Sequence, residues 1–297
     1  MKILLLGANG QVGHELRRSL ASLGEIIVTT RSGVLDGNPC ELADFDLPDT
    51  LPALVERIEP DVVVNAAAYT AVDRAESEPD AAFRANAESP RRLAEACASS
   101  GALLVHYSTD YVFDGGASRP YREEDATAPL GVYGRSKLAG EQAIKESGCR
   151  HLIFRTAWVY GTYGANFMRT MLRLGAERDE LRVVADQLGT PTPARLIADV
   201  TAAVLRVNSA RSGVWHLTAT GQTSWHGFAT EIFRRASGNG LIDRIPCVIP
   251  IAASEYPTPA KRPQYSCLDT TRLREDFGVD LPDWKLALEQ VLDTSPR

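Results

Sequence analysis

The first thirteen residues constrain the chain most. Lys2 to Leu6 ("KILLL") is an apolar run without polar alternation, and "GANGQVG" follows at once. An unbroken apolar run reads as a strand covered on both faces. Gly7, Gly10 and Gly13 form a GxxGxxG loop leading into a helical pattern from Gln11 to Leu23. A strand, a glycine turn and a helix in that order begin a βαβ unit. The rhythm repeats. Strands are expected at "EIIVTT", "DVVVNAAA", "ALLVHYSTDYVF" and "HLIFRTAWVYG", with helices over 49–58, 81–100 (stopped by Gly101) and from "GVYGRSKLAGE" to near Gly148. The fold class is α/β, a Rossmann-type doubly wound parallel sheet with a smaller C-terminal α/β part.

Past Gly161 the alternation loosens. Helices are expected over 166–178, 195–208, 225–236 and 284–292, and strands over 181–185 and 214–218. We expect a dinucleotide-binding domain over 1–160 and a substrate-binding domain over 161–297, with segments free to interleave. The stretch 245–266, rich in proline and polar residues, reads as an ordered loop against a site.

The glycine loop sits where a dinucleotide pyrophosphate docks, between a strand end and the free N–H groups of a helix start. An acid ending the second strand would bond the ribose 2′-hydroxyl and disfavour a 2′-phosphate. This chain has neutral Thr30 there, and Arg31 is suited to a 2′-phosphate. NADPH is therefore expected to be preferred or well tolerated beside NADH. Asp44 and Phe45 are placed to flank the adenine, and Ala66, Ala67 and Ala68 leave room at the third strand's end.

Ligands bind outside the carboxyl ends of strands in such sheets. Ser108, Thr109, Asp110 and Tyr111 end the fourth strand and aim at that crevice, and Tyr133 and Lys137 follow at i and i+4 on a helix start. These residue types permit carbonyl reduction. A tyrosine gives a proton to the developing alkoxide, a nearby ammonium favours its phenolate, and a threonine hydroxyl fixes the carbonyl oxygen. A Tyr-Lys pair by itself is common; the glycine loop and Thr109 supply its meaning.

Composition excludes other classes. The formal net charge of -6 gives no basic field for nucleic acid or an anionic membrane. Five scattered cysteines without a CxxC pair fit a reducing cytoplasm. The N-terminal apolar run is too short to span a bilayer and is not followed by a cleavage site. His14, His106, His151, His216 and His226 lack metal-ligand spacing and read as structural.

At this point the chain resembles the extended short-chain dehydrogenase/reductase family, and within it the reductases that complete dTDP-L-rhamnose synthesis. The matching stretches include "GANGQVGHEL", "AAAYTAVDRAESEP", "HYSTDYVFDG", "APLGVYGRSKLAGE", "VVADQLGTPT" and "YPTPAKRPQYSCLDT", and they run to about residue 290. The resemblance implies NAD(P)H-dependent reduction of the C4 keto group of a dTDP-linked 4-dehydro sugar. It implies Tyr133 as proton donor with Thr109 and Lys137. It implies cofactor contacts at Gly10, Gln11, Val12, Asp44, Phe45, Ala66, Ala67, Ala68, Tyr107, Tyr133 and Lys137, and substrate contacts at Thr109, Asp110 and Trp158. Arg262, in the proline-rich stretch, suits the nucleotide diphosphate. Two positions depart from the family. Thr30 replaces a frequent acid, and Arg195 stands where some members place a magnesium-binding carboxylate. Mg²⁺ needs oxygen ligands, so no metal site is expected. A homodimer is left open. The rival readings are an epimerase or dehydratase of the same fold, against which Tyr111 stands where a dehydratase often carries Glu, and a non-catalytic cofactor-binding subunit, against which stands the intact Thr109, Tyr133 and Lys137 set.

Overall fold

The computed structural model describes residues 1–207 and 211–293. Strands β1 (Lys2–Leu6), β2 (Glu25–Thr30), β3 (Val62–Asn65), β4 (Leu103–Thr109) and β5 (His151–Thr156) lie parallel, as their unbroken apolar runs require. Later in the chain come β6 (Glu180–Val184), β7 (Gly213–His216) and β8 (Cys247–Ile251). The main sheet has seven strands in the order β7-β5-β4-β3-β1-β2, ending in the two-residue strand Glu41–Leu42. The chain runs outward from β1 on one side and returns to β3 on the other. That reversal opens a crevice above the ends of β1 and β3.

The helices are α1 (Gln11–Ser19), α2 (Leu51–Ile58), α3 (Ser89–Ser100), α4 (Val132–Glu146), α5 (Phe167–Glu177), α6 (Ala194–Arg206), α7 (Trp225–Gly238), α8 (Thr271–Phe277) and α9 (Trp284–Asp293). The expected end of α6, Asn208, lies outside the described residues. Successive side chains of β1 point to opposite faces. Ile3 and Leu5 pack with Leu16, Ile197, Leu205 and Phe277, which belong to α1, α6 and α8. Leu4 and Leu6 pack with Leu51, Leu93, Cys97 and Ile144, from α2, α3 and α4. Each fully buried leucine contributes about 1.5–3 kcal/mol by leaving water.

A third cluster, including Tyr160, Met171, Leu181, Phe228, Phe233 and Leu288, joins α5, α7 and α9 to β6. β6 pairs in parallel with β8, from Glu180 opposite Cys247 to Val184 opposite Ile251. The stretch 245–266 thus contains a strand and is not only a loop. β7 returns to the main sheet beside β5, and α6 packs against α1.

The helix expected over 81–100 is interrupted. Pro79–Phe83 is α-helical, Arg84–Glu88 forms a π-turn, and α3 resumes at Ser89. The cause is tertiary. Asn86 in the π-turn accepts Tyr69 N–H at 2.9 Å and donates to the Tyr69 carbonyl at 3.0 Å and to Ser136 Oγ at 3.0 Å. A π-turn widens the helix so that one side chain reaches both neighbours. No helix among the described residues is long and apolar enough to cross a membrane.

Candidate active site

The crevice is a cleft of about 850 Å³. Gly7, Gly10, Gln11 and Val12 line it from the first βα turn, and Ala66, Ala67 and Ala68 from the end of β3. Gly7 has φ of +76°, and a Cβ there would stand 2.8 Å from Ala67 N. Only glycine fits such a turn. Gly10 caps α1 with no side-chain hydrogen bond, so the first N–H groups of the helix stay open toward the cleft. These features fit a dinucleotide pyrophosphate. Gly13 is not part of the lining; a Cβ there would collide with the Gly7 carbonyl, so its role is helix-to-turn packing.

The adenosine end differs from expectation. Thr30 is buried and its hydroxyl is spent on the Val34 backbone at 3.1 Å, so it does not face the cleft. Arg31 does line it, with a side chain 69% exposed that pairs with Asp44 at 3.7 Å and Asp46 at 3.8 Å. Asp44 stands beside Arg31, outside the lining, while buried Phe45 is part of it.

Thr109, Tyr133, Lys137, Tyr107 and Asp110 all line the same cleft. Tyr133 sits in the first turn of α4, whose N-terminus is held by Glu76, the acceptor for Val132 N–H at 2.8 Å. Burial pushes the Tyr133 hydroxyl up to about 12, Thr109 pulls it back, and the Asp110 carboxylate adds to the rise. This corrects the expected lowering by Lys137. Lys137 Nζ is turned instead to the Tyr107 carbonyl at 2.6 Å and lies 3.3 Å from His106 Nε2. Burial brings Lys137 down to about 8, against the pull of Glu141. Asp110 is pushed up to about 7 by burial, countered by nearby Ser266 and by the Thr109 hydroxyl, which donates to Oδ1 at 3.0 Å.

A family model described as "RmlD substrate binding domain" matches residues 1–296. A dTDP-4-dehydrorhamnose reductase of Burkholderia thailandensis is 51% identical over 297 residues, covering 97% of either chain. The chain belongs to the dTDP-4-dehydrorhamnose reductase family. The enzyme of that name from Escherichia coli K12 is 46% identical over 296 residues, covering 99% of this chain and 97% of its own. The crystal structure of dTDP-4-dehydrorhamnose reductase from Bacillus anthracis in complex with NADP aligns with a TM-score of 0.90 at 36% identity, covering 99% of both chains.

For a dTDP-4-dehydrorhamnose reductase family member, the far wall of the cleft is informative. Trp158 has φ of +47°, a costly conformation for a bulky residue. It is held by stacking on Trp225, with ring centroids 3.5 Å apart, and by Gly189, where a Cβ would strike the indole. Tyr111 lines the cleft as its place at the end of β4 led us to expect, whereas Trp225, Thr70 and Asn9, which also line it, were not singled out from the sequence. Arg262 is outside the lining. It pairs with Asp73 at 2.8 Å, and its charge reaches the Tyr111 hydroxyl. Arg195, which the resemblance put where some members carry a magnesium-binding carboxylate, pairs with Asp199 at 3.7 Å and offers a cation where Mg²⁺ needs oxygen, so the residue does not fit that metal. No group of three or more His, Cys, Asp or Glu among the described residues is placed to hold a metal.

Proposed function

We propose that the chain reduces the C4 keto group of dTDP-4-dehydro-L-rhamnose, giving dTDP-β-L-rhamnose. One observation carries the assignment: Thr109, Tyr133 and Lys137 line a single cleft with the glycine turn. Gly7, Gly10, Gln11, Val12 and the three alanines would hold NADPH or NADH, and the bound nicotinamide supplies the hydride. Arg31 would meet a 2′-phosphate, in competition with Asp44 and Asp46.

Tyr133 is the proton donor. Held near 12, its hydroxyl keeps the proton at neutral pH and yields it only to the more basic alkoxide that develops at C4. Thr109, whose hydroxyl donates to Asp110 Oδ1 at 3.0 Å without substrate, would turn to the same oxygen and orient it. Lys137 would hold the cofactor ribose. Trp158 and Trp225 give the sugar ring an apolar wall. Asp110, buried and with Oδ2 lacking a hydrogen-bond partner, is ready to bond a sugar hydroxyl. All of these groups come from one chain, so the reading holds for a monomer or a homodimer, which sedimentation distinguishes. Five free thiols fit a cytoplasmic setting.

The test mixes the protein, NADPH and enzymatically made dTDP-4-dehydro-L-rhamnose, and follows absorbance loss with product identification. Wild-type protein without turnover would defeat the reading.

A further inference from the structure

Beneath Lys137 lies a buried chain of hydrogen bonds that the reaction scheme does not use. Ala67 N–H donates to Asn65 Oδ1 at 3.1 Å. A backbone amide only donates, so this contact fixes which way the Asn65 side chain faces. Its Nδ2 is then the atom 3.1 Å from His106 Nδ1. An amide NH₂ also only donates, so His106 Nδ1 must accept and carries no proton. In a neutral imidazole the proton is then on Nε2. Nε2 stands 3.3 Å from Lys137 Nζ, which itself donates to the Tyr107 carbonyl at 2.6 Å.

An ammonium has no lone pair, so against a charged Lys137 the Nε2–H would be a donor facing a donor. A neutral amine accepts it and completes the chain. We propose that Asn65 locks His106 as the Nε2–H tautomer, and that His106 thereby acts as a positioning residue that biases Lys137 toward its neutral amine. The proposal rests on reading Lys137 as part of the active site.

Other groups facing Lys137 do not reverse this. Glu141, one turn along α4, attracts the charge, yet it is bound at both oxygens by Arg155. Tyr133, one turn back, is protonated, and Asp110 stands at the end of β4 with its carboxyl raised. Burial moves both partners the same way, holding His106 neutral and lowering Lys137. His106 and Asn65 are each 1% exposed, so water does not substitute for either partner.

The deciding measurement is imidazole ¹⁵N NMR on the whole protein without cofactor, with His106 assigned by loss of its signals in His106→Phe. The expected result is the Nε2–H tautomer from pH 6 to 9. An Nδ1–H tautomer or a charged ring in that range overturns the proposal. Asn65→Asp reverses the lock, because a carboxylate accepts from both Ala67 N–H and Nδ1–H. In that variant the Lys137 midpoint, read from its side-chain NMR signals, should rise by about one pH unit, the worth of one hydrogen bond. An added charge would raise it too, so the same substitution is made in His106→Phe, where the rise should shrink. An equal rise in both backgrounds overturns the proposal. If Asn65→Asp does not fold, the wild-type tautomer decides alone. A protein inactive on the sugar nucleotide but holding the Nε2–H tautomer loses the reductase reading and keeps the lock.

Discussion

Glu141→Gln perturbs the one ion pair that, among the described residues, is buried on both sides. Glu141 is 0% exposed and Arg155 is 2% exposed. Arg155 Nε and Nη2 reach the two carboxylate oxygens at 2.9 and 2.7 Å, and Ser108 Oγ donates at 2.5 Å. Glutamine keeps the shape but removes the charge, leaving a guanidinium buried without its partner. Breaking such a pair costs about 3–5 kcal/mol, a large share of a typical stability of about 5–15 kcal/mol. At roughly 2–4 °C per kcal/mol the melting temperature falls by about 6–20 °C. Replacing both charges, as in Glu141→Leu with Arg155→Met, removes the uncompensated ion and should recover most of the loss, short of about 1 kcal/mol for the orphaned Ser108 hydroxyl. Urea unfolding of wild type, both singles and the double measures the coupling. A Glu141→Gln protein within about 1 kcal/mol of wild type would refute the reasoning, since the buried charge would then not need its partner.

Tyr133→Phe should lower kcat by about 10²–10⁴ while leaving NADPH affinity within a few-fold; an undiminished kcat removes Tyr133 as donor. Arg31→Ala should raise KM for NADPH about tenfold and KM for NADH little, as expected for one charge-assisted bond to the 2′-phosphate; equal changes mean Arg31 is a surface charge. Asp110 sits at about 7 in the fold against 3.8 as its ordinary value, so the fold favours the neutral acid. Its contribution is full below about pH 4 and is lost as pH rises through about 7. Asp110→Asn should flatten that part of the stability-versus-pH curve, which urea midpoints at several pH values will read; an unchanged slope rules Asp110 out as its source. Gly189→Ala should push the Trp158 indole out of its stack on Trp225, seen as altered tryptophan fluorescence with a raised KM for the sugar nucleotide; wild-type values for both would show that Gly189 does not set the wall.

The first half of the fold was legible because its strands are covered on both faces, which writes them as unbroken apolar runs. β8 was not. Its "CVIPI" carries Pro250, belongs to a two-stranded sheet and buries only Ile251, with no regular alternation to mark a strand, so composition reads it as a loop. The break at Arg84–Glu88 was hidden because every residue there is compatible with a helix, and only the bonds from Asn86 to Tyr69 and Ser136 demand the π-turn. In the site, Thr109, Tyr133 and Lys137 were visible as motif positions. Trp225 was not, because it opens an amphipathic helix and its place against Trp158 depends on tertiary packing.

Two of the stretches that carry the family resemblance, "AAAYTAVDRAESEP" and "YPTPAKRP", meet in space, which explains why neither reads as a catalytic motif. Asp73 of the first accepts Ala260 N–H at 3.2 Å and Arg262 Nη2 at 2.8 Å from the second. Three residues on, Glu76 accepts Val132 N–H at the start of the helix that presents Tyr133. A Cβ on Gly131 would stand 2.6 Å from that carboxylate, so glycine lets the acid approach the helix end. A carboxylate at a helix N-terminus is favoured by the open N–H groups and the helix dipole. The first stretch thus gives its small residues to the cleft lining, while these two acids join its neighbours. Arg262, expected on the diphosphate, is spent on this joint instead. Its influence on the site passes through Asp73 and the Tyr111 hydroxyl, whose ring stands edge-on to Tyr133 with centroids 5.8 Å apart.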